Sequence, residues 1–180
     1  MQAFTEFWNS FMSLGVFGLI GLSILLAYTL VLPKDGISVW VGKFISKNVL
    51  WIGLILALSA SLSSLVYSDI IGYPPCLFCW YARIAFYPQV ALFGLALVKK
   101  DRNILSYTLL LSALGVLISG YHTVAEAIQY SPLPCAAGGV SCLTRYVYEY
   151  GFITIPVMSL VGFITLALVH LVTRRQSKAQ

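Results

Sequence analysis

Five long apolar segments constrain this chain more than any other feature of its sequence. A helix needs about 20 mostly apolar residues to cross the hydrocarbon core of a bilayer. Five segments reach that length: residues 11–32, 49–68, 79–98, 104–124 and 151–172. Only 9% of the residues are charged, whereas about 25% is usual in soluble domains. We therefore predict an all-α membrane protein with five spans.

The segments divide the chain into four predicted parts. Residues 49–172 form a four-helix transmembrane bundle, and residues 1–33 add one N-terminal transmembrane helix. Residues 34–48 are an amphipathic connector and residues 173–180 a tail. The first segment is interpreted as a span and not as a cleaved signal peptide, because its leader carries Glu6 and no basic residue.

The basic residues of the loops predict the orientation in the membrane. Nine of the eleven Lys and Arg residues fall on one face: Lys34, Lys43, Lys47, Lys99, Lys100, Arg102, Arg174, Arg175 and Lys178. Because basic loops stay in the cytoplasm, the N-terminus is predicted outside and the C-terminus inside. Scattered loop charges of this kind are expected of membrane topology, so the net charge of +5 does not indicate nucleic-acid binding.

Two further patterns concern helix packing. In the connector, Ile37, Trp40, Val41, Phe44 and Ile45 recur at helical spacing, which predicts a short separate helix in the headgroup region. Small residues four apart inside the spans predict close helix packing; they are Gly53, Ala57 and Ser61, and Gly115 and Ser119. The mid-span glycines Gly15, Gly18 and Gly21 are also interpreted as packing positions.

All four cysteines fall on the predicted outer side. Cys76 and Cys79 open the third span, and Cys135 and Cys142 lie between the fourth and fifth spans. In a bacterium that compartment is oxidising, so its cysteines are normally disulfides or redox-active. Three interpretations compete: two structural disulfides, a Cys₄ zinc site, and a dithiol relay. Zinc thiolates suit an oxidising face poorly, and a Cys-x-x-Cys at a helix start favours thiolate, so we predict the relay and no metal.

Arg83 distinguishes the relay from structural disulfides. It follows Cys79 by four residues and therefore lies on the same helix face, one turn deeper. An arginine inside a span costs about 2.5–3.5 kcal/mol at mid-bilayer. A structural disulfide gains nothing from it, whereas a thiolate or a carbonyl acceptor is stabilised. Snorkelling of Arg83 to the headgroups is the alternative.

A relay needs a final acceptor for two electrons. The chain has no nucleotide-binding fingerprint on a strand–turn–helix unit and no soluble domain to carry one. A quinone dissolved in the lipid needs no such domain and can reach Cys79 and Arg83 sideways. We predict a quinone, either ubiquinone or menaquinone, as the acceptor.

At these residues the chain resembles the DsbB family of bacterial membrane thiol–quinone oxidoreductases, in its short-loop BdbC-like branch. The resemblance covers residues 49–172 and rests on "CLFCWYAR", "PCAAGGVSC" and "YGFITIPVMSLVGF". It implies a protein of the bacterial inner membrane that reoxidises a DsbA-like thioredoxin-fold oxidase. A vitamin K epoxide reductase-like enzyme is the runner-up, although its cysteine pairs occur in the opposite order. A non-catalytic scaffold with two structural disulfides is the remaining alternative.

The resemblance also implies a role for each site residue. Cys79 would react with quinone while Arg83 polarises it, and Cys76 would close the Cys76–Cys79 disulfide. Cys135 would form a mixed disulfide with the partner oxidase, which Cys142 would resolve. The chain departs from the family in its additional first span and in its short Cys-x₆-Cys loop pair.

His122 is a further candidate near the outer end of the fourth span. Ionisable groups are costly in lipid, and those present are usually functional. His122 is predicted either to hydrogen-bond a quinone oxygen or move a proton, or to pair with Glu126 at the interface.

The predicted orientation can be tested on intact cells. A membrane-impermeant maleimide should label a cysteine introduced near Thr5 but not one near Ser177, because only the former faces outward. Labelling of the parent protein gives the background from its own cysteines. Labelling near Ser177, or none near Thr5, would show that the first segment does not span the membrane outward.

Overall fold

The computed structural model describes residues 2–133 and 140–179, and within them the regular structure is almost entirely helical. Five long helices account for most of the chain: α1, Gln2–Val31; α2, Gly36–Leu65; α3, Leu77–Lys99; α4, Leu105–Ile128; and α5, Ile155–Ala179. All five are long and apolar enough to cross a membrane. The predicted fold class, an all-α bundle of five spans, is confirmed.

The second helix corrects the prediction of a separate connector helix. Asp35 caps its start by accepting a hydrogen bond from the Ile37 amide at 3.2 Å. From there the helix runs without interruption past residue 48 and ends in a π-helical turn, Val66–Ile70. No proline interrupts this stretch, so nothing in its sequence ends a helix between the connector and the span.

The length of this continuous helix explains the amphipathic pattern in another way. Its 35 residues extend about 50 Å at 1.5 Å per residue, which exceeds the hydrocarbon core of about 30 Å. Val41 and Ile45 pack in a buried cluster with Leu26 of α1 and Val169 of α5. Trp40 and the other apolar residues on the opposite side stay exposed. The N-terminal end of α2 is therefore both a packing surface and the end of a long helix.

The bundle is built around α2 and α5. Helix α5 packs against α4, α2 and α1, and α3 packs between α2 and α4. The central contact is a stack of Phe86 on Phe163, with ring centroids 3.7 Å apart. Both rings belong to the main buried cluster.

The predicted small-residue positions separate into two groups. A Cβ atom at Gly53 would collide with the ring of Phe93, and one at Gly115 would collide with the ring of Phe163. These glycines therefore receive aromatic rings, and close packing there is confirmed. The prediction for α1 is wrong, since a Cβ at Gly15, Gly18 or Gly21 would meet nothing within 4 Å.

The packing at Gly115 predicts a clear effect on stability. Gly115→Ala should destabilise the bundle by about 1–3 kcal/mol, because Phe163 is fully buried against Phe86 and cannot move aside. Gly94→Ala is the matched control, because its Cβ would meet nothing within 4 Å and alanine is the better helix former. Thermal unfolding in detergent should show a lower Tm only for the first variant. Equal Tm values would contradict this account of the core.

Candidate redox site

The Cys-x-x-Cys motif forms the first turn of α3. An extended segment that includes Pro74 and Pro75 leads to Cys76, which is the N-cap residue with φ −76° and ψ 175°. Its Sγ accepts a hydrogen bond from the Cys79 amide at 3.3 Å. The two sulfur atoms lie 2.8 Å apart. The predicted helix start is confirmed, and the pair is placed to close a disulfide within one turn.

The environment of Cys76 favours its protonated form. Hydrogen bonding to Cys79, together with burial, raises the pKa of the Cys76 thiol to about 12, although a hydrogen bond to His122 opposes the rise. At neutral pH a thiol with this pKa is protonated, so Cys76 does not carry the thiolate of the reduced pair. The expectation that a helix start favours thiolate is therefore wrong for Cys76.

His122 approaches the cysteines from α4. Its Nε2 lies 3.8 Å from Cys76 Sγ and 3.0 Å from the carbonyl oxygen of Cys142. His122 is 6% exposed, so its side chain is buried beside the cysteines. Cys142 joins Cys76 and Phe78 in the same buried cluster. Cys135 lies outside the described residues.

Glu126 is a buried carboxylate that sequence reasoning assigned only as a partner of His122. Thr154 Oγ1 donates a hydrogen bond of 2.6 Å to Glu126 Oε2, and Arg145 donates to the Glu126 carbonyl oxygen at 2.9 Å. The carboxylate thus ties α4 to the start of α5. A buried ionisable group inside a span is the only signal in the sequence that could have singled it out.

Arg83 is held inside the bundle by α2. Its Nε donates to Ser64 Oγ at 2.8 Å and its Nη2 donates to the Ser64 carbonyl at 3.0 Å. The guanidinium also lies over the Trp80 ring, 5.0 Å from the centroid. With Arg83 only 8% exposed, the snorkelling alternative is wrong.

Ser64 was not predicted, although the polar cluster "SASLSS" in an apolar span is a signal for it. It lies two residues before the π-helical turn Val66–Ile70. Such turns are rare and occur frequently at functional sites. The contact with Arg83 joins the redox motif to the irregular end of α2.

A cavity of about 520 Å³ lies beside these residues. This is within the range of small-molecule sites, about 300–1,000 Å³. Its walls are mostly apolar and come from all five helices, while its reactive and polar groups include Cys76, Cys79, Arg83, His122 and Glu126. Tyr87 and Ser119 also line it, and the hydroxyls of both are buried without a hydrogen-bond partner among the described residues.

The sulfur atoms of Cys76 and Cys79 and a ring nitrogen of His122 lie within 4.8 Å of one another. These are donor types that zinc accepts. The Cys₄ alternative also needs Cys135, which lies outside the described residues. The same closeness is what proton transfer between a thiol and an imidazole requires.

Comparison with known proteins agrees with this site. The family model described as "Disulfide bond formation protein DsbB" matches residues 46–173. "Probable disulfide formation protein C 1" of Bacillus anthracis is 45% identical over 109 residues, which are 60% of this chain and 78% of the relative. "Probable disulfide formation protein C 2" of the same organism is 38% identical over 136 residues, covering 76% and 96%.

"SPbeta prophage-derived disulfide bond formation protein B" of Bacillus subtilis (strain 168) is 39% identical over 108 residues, covering 60% of this chain and 73% of the relative. No solved structure matches the chain significantly. Because the family model covers more than half of the residues, the chain belongs to the DsbB family of disulfide bond formation proteins.

Proposed function

We propose that this membrane oxidoreductase of the DsbB family reoxidises a DsbA-like thioredoxin-fold oxidase and passes the electrons to a membrane quinone. The supporting observation is that Cys79, Arg83 and His122 line one apolar cavity within the span region. A reaction limited to protein thiols needs no such cavity. The cysteines would lie on the extracytoplasmic side of a bacterial inner membrane, as the basic loops predict.

The cavity fits a quinone in its polarity. A quinone head group is a flat apolar ring with two carbonyl oxygens that accept hydrogen bonds. The walls are mostly apolar, and the guanidinium of Arg83 is a donor available to such oxygens. When bound, a quinone takes up two electrons and two protons and becomes a quinol.

The residues of the chain would act in sequence by thiol–disulfide exchange. The two thiols of the partner reduce a Cys135–Cys142 disulfide and become a disulfide themselves. The loop dithiol then reduces the Cys76–Cys79 disulfide. Arg83 would stabilise negative charge at Cys79, one helical turn away, and the two electrons leave from Cys79 toward the cavity.

His122 would hold and release a proton in this sequence. Its ring nitrogen contacts the sulfur of Cys76, whose thiol stays protonated because its pKa is raised to about 12. In its contact with Cys142 the Nε2 nitrogen carries the hydrogen, because a carbonyl oxygen only accepts. The imidazole would take up the Cys76 proton at Nε2 in the tautomer that has released this contact, as the Cys76–Cys79 disulfide closes. His122 also lines the cavity in which a proton acceptor would lie.

The relay predicts that every cysteine is required. Purified protein in detergent, mixed with reduced partner oxidase and a soluble quinone analogue, should turn over quinone as followed by its absorbance. Replacing any of Cys76, Cys79, Cys135 or Cys142 by serine should reduce the rate to that of partner and quinone without the protein. Turnover that persists without all four cysteines would exclude the relay and favour a scaffold with structural disulfides.

The position of Arg83 predicts a selective loss toward quinone. Arg83→Met removes one charge-assisted contact, worth about 1.5–3 kcal/mol, so quinone affinity or rate should fall by roughly one to two orders of magnitude. Arg83→Lys should recover only part of the loss, because a point charge replaces a planar fork. Exchange between the loop pair and the partner should stay near normal.

Ser64→Ala is the matched control for this variant. It removes one of the two hydrogen bonds that hold the guanidinium, that to Ser64 Oγ, and keeps the backbone contact and the charge. Its loss should therefore be smaller than that of Arg83→Met. An equal loss would mean that Arg83 acts only by holding α2. An unchanged KM and kcat for quinone in Arg83→Met would contradict the proposed role altogether.

A further inference from the structure

Helix α1 forms one wall of the redox cavity. The family match begins at residue 46, so α1 lies outside the part of the chain that the family accounts for. Six residues of α1 nevertheless line the same cavity as Cys79 and Arg83: Phe11, Met12, Leu14, Gly15, Val16 and Leu19. The reacting groups come from α3 and α4, whereas α1 packs chiefly on α5 and α2. The cavity therefore lies between α1 and the reactive residues.

Several contacts fix α1 in this position. Phe17 packs edge-on against Tyr150 and Phe152, with centroids 5.3 and 6.0 Å away, at the same end of the bundle as the cysteine loop. Ser23 Oγ and Thr165 Oγ1 of α5 are hydrogen-bonded at 2.9 Å. Leu26, at the other end of α1, is fully buried in a cluster with Val169 of α5. These contacts hold α1 along much of its length.

Gly15 leaves open space on the cavity side of α1. It lines the cavity, and a Cβ atom added there would meet nothing within 4 Å. Gly18 offers equal space but does not line the cavity. Gly15 is exposed and lines the cavity, so a side chain placed there would lie at the edge of the cavity.

We infer that α1 is the wall that encloses the quinone, with Met12, Gly15 and Leu19 as binding residues that set which ligands fit. This inference rests on the proposed quinone reduction. Without α1, the space between α2 and α5 would open to lipid beside Arg83. With α1 in place, an isoprenoid quinone must fit past an apolar wall in which Gly15 contributes no side chain.

A pair of glycine variants tests the wall. Gly15→Leu adds a side chain at the edge of the cavity, whereas Gly18→Leu adds the same side chain to α1 elsewhere. Binding of an unreactive quinone analogue is measured by quenching of tryptophan fluorescence, since Trp80 lies against Arg83. Gly15→Leu should raise the Kd of the analogue by at least about tenfold, equivalent to about 1.4 kcal/mol of binding free energy. Gly18→Leu should bind as the parent protein does.

Turnover gives a second measurement on the same variants. Gly15→Leu should raise KM for quinone while exchange between the loop cysteines and the partner stays unchanged, because the Cβ position of Gly15 lies more than 4 Å from Cys142. If Gly15→Leu fails to fold, Gly15→Ala provides a smaller obstruction and should shift Kd in the same direction. Equal Kd values for the parent and the Gly15 variants would overturn the wall but leave quinone reduction standing. A parent protein that neither binds nor reduces quinone would overturn both.

Discussion

Burial of the Arg83 guanidinium is the constraint on which the rest of this site depends. A cation at membrane depth is costly unless fixed polar groups replace its hydration. Here Ser64 supplies two oxygen acceptors and Trp80 supplies a ring face. Part of the guanidinium fork remains for the cavity, where the apolar walls strengthen any interaction with developing negative charge. The arginine of α3 is thus held in place by α2.

The same requirement explains why α2 ends irregularly. A regular helix satisfies its own carbonyls, whereas the change from α-helical to π-helical hydrogen bonding shifts the pattern of donors and acceptors near Val66. The Ser64 carbonyl accepts from Arg83 and also from Ser68 Oγ at 3.2 Å. The irregular turn and the buried cation therefore satisfy each other, and both lie at the depth of the cysteine pair.

The sequence predicted the parts of the site that depend on local spacing. The helix start at Cys76 and the shared face of Cys79 and Arg83 follow from the periodicity of one helix. The contact of His122 with Cys76 joins residues 46 positions apart, and no local pattern encodes it. The separate connector helix was a wrong prediction because an amphipathic stripe looks the same whether a helix lies at an interface or continues into a span. The packing role of Gly15 was wrong for a related reason, since a glycine can make room for a helix or for a ligand.

The position of α1 has a consequence for how the two electron-transfer steps are kept apart. In the proposed reaction the loop pair would react with a folded protein partner, whereas the quinone would reach Cys79 from the lipid. A groove open to both would let partner thiols, water and lipid enter the space beside Arg83. An additional helix packed on α2 and α5 covers the side of the cavity that faces the reactive residues of α3 and α4. In the proposed reaction this helix would restrict access of the acceptor to Cys79 and Arg83.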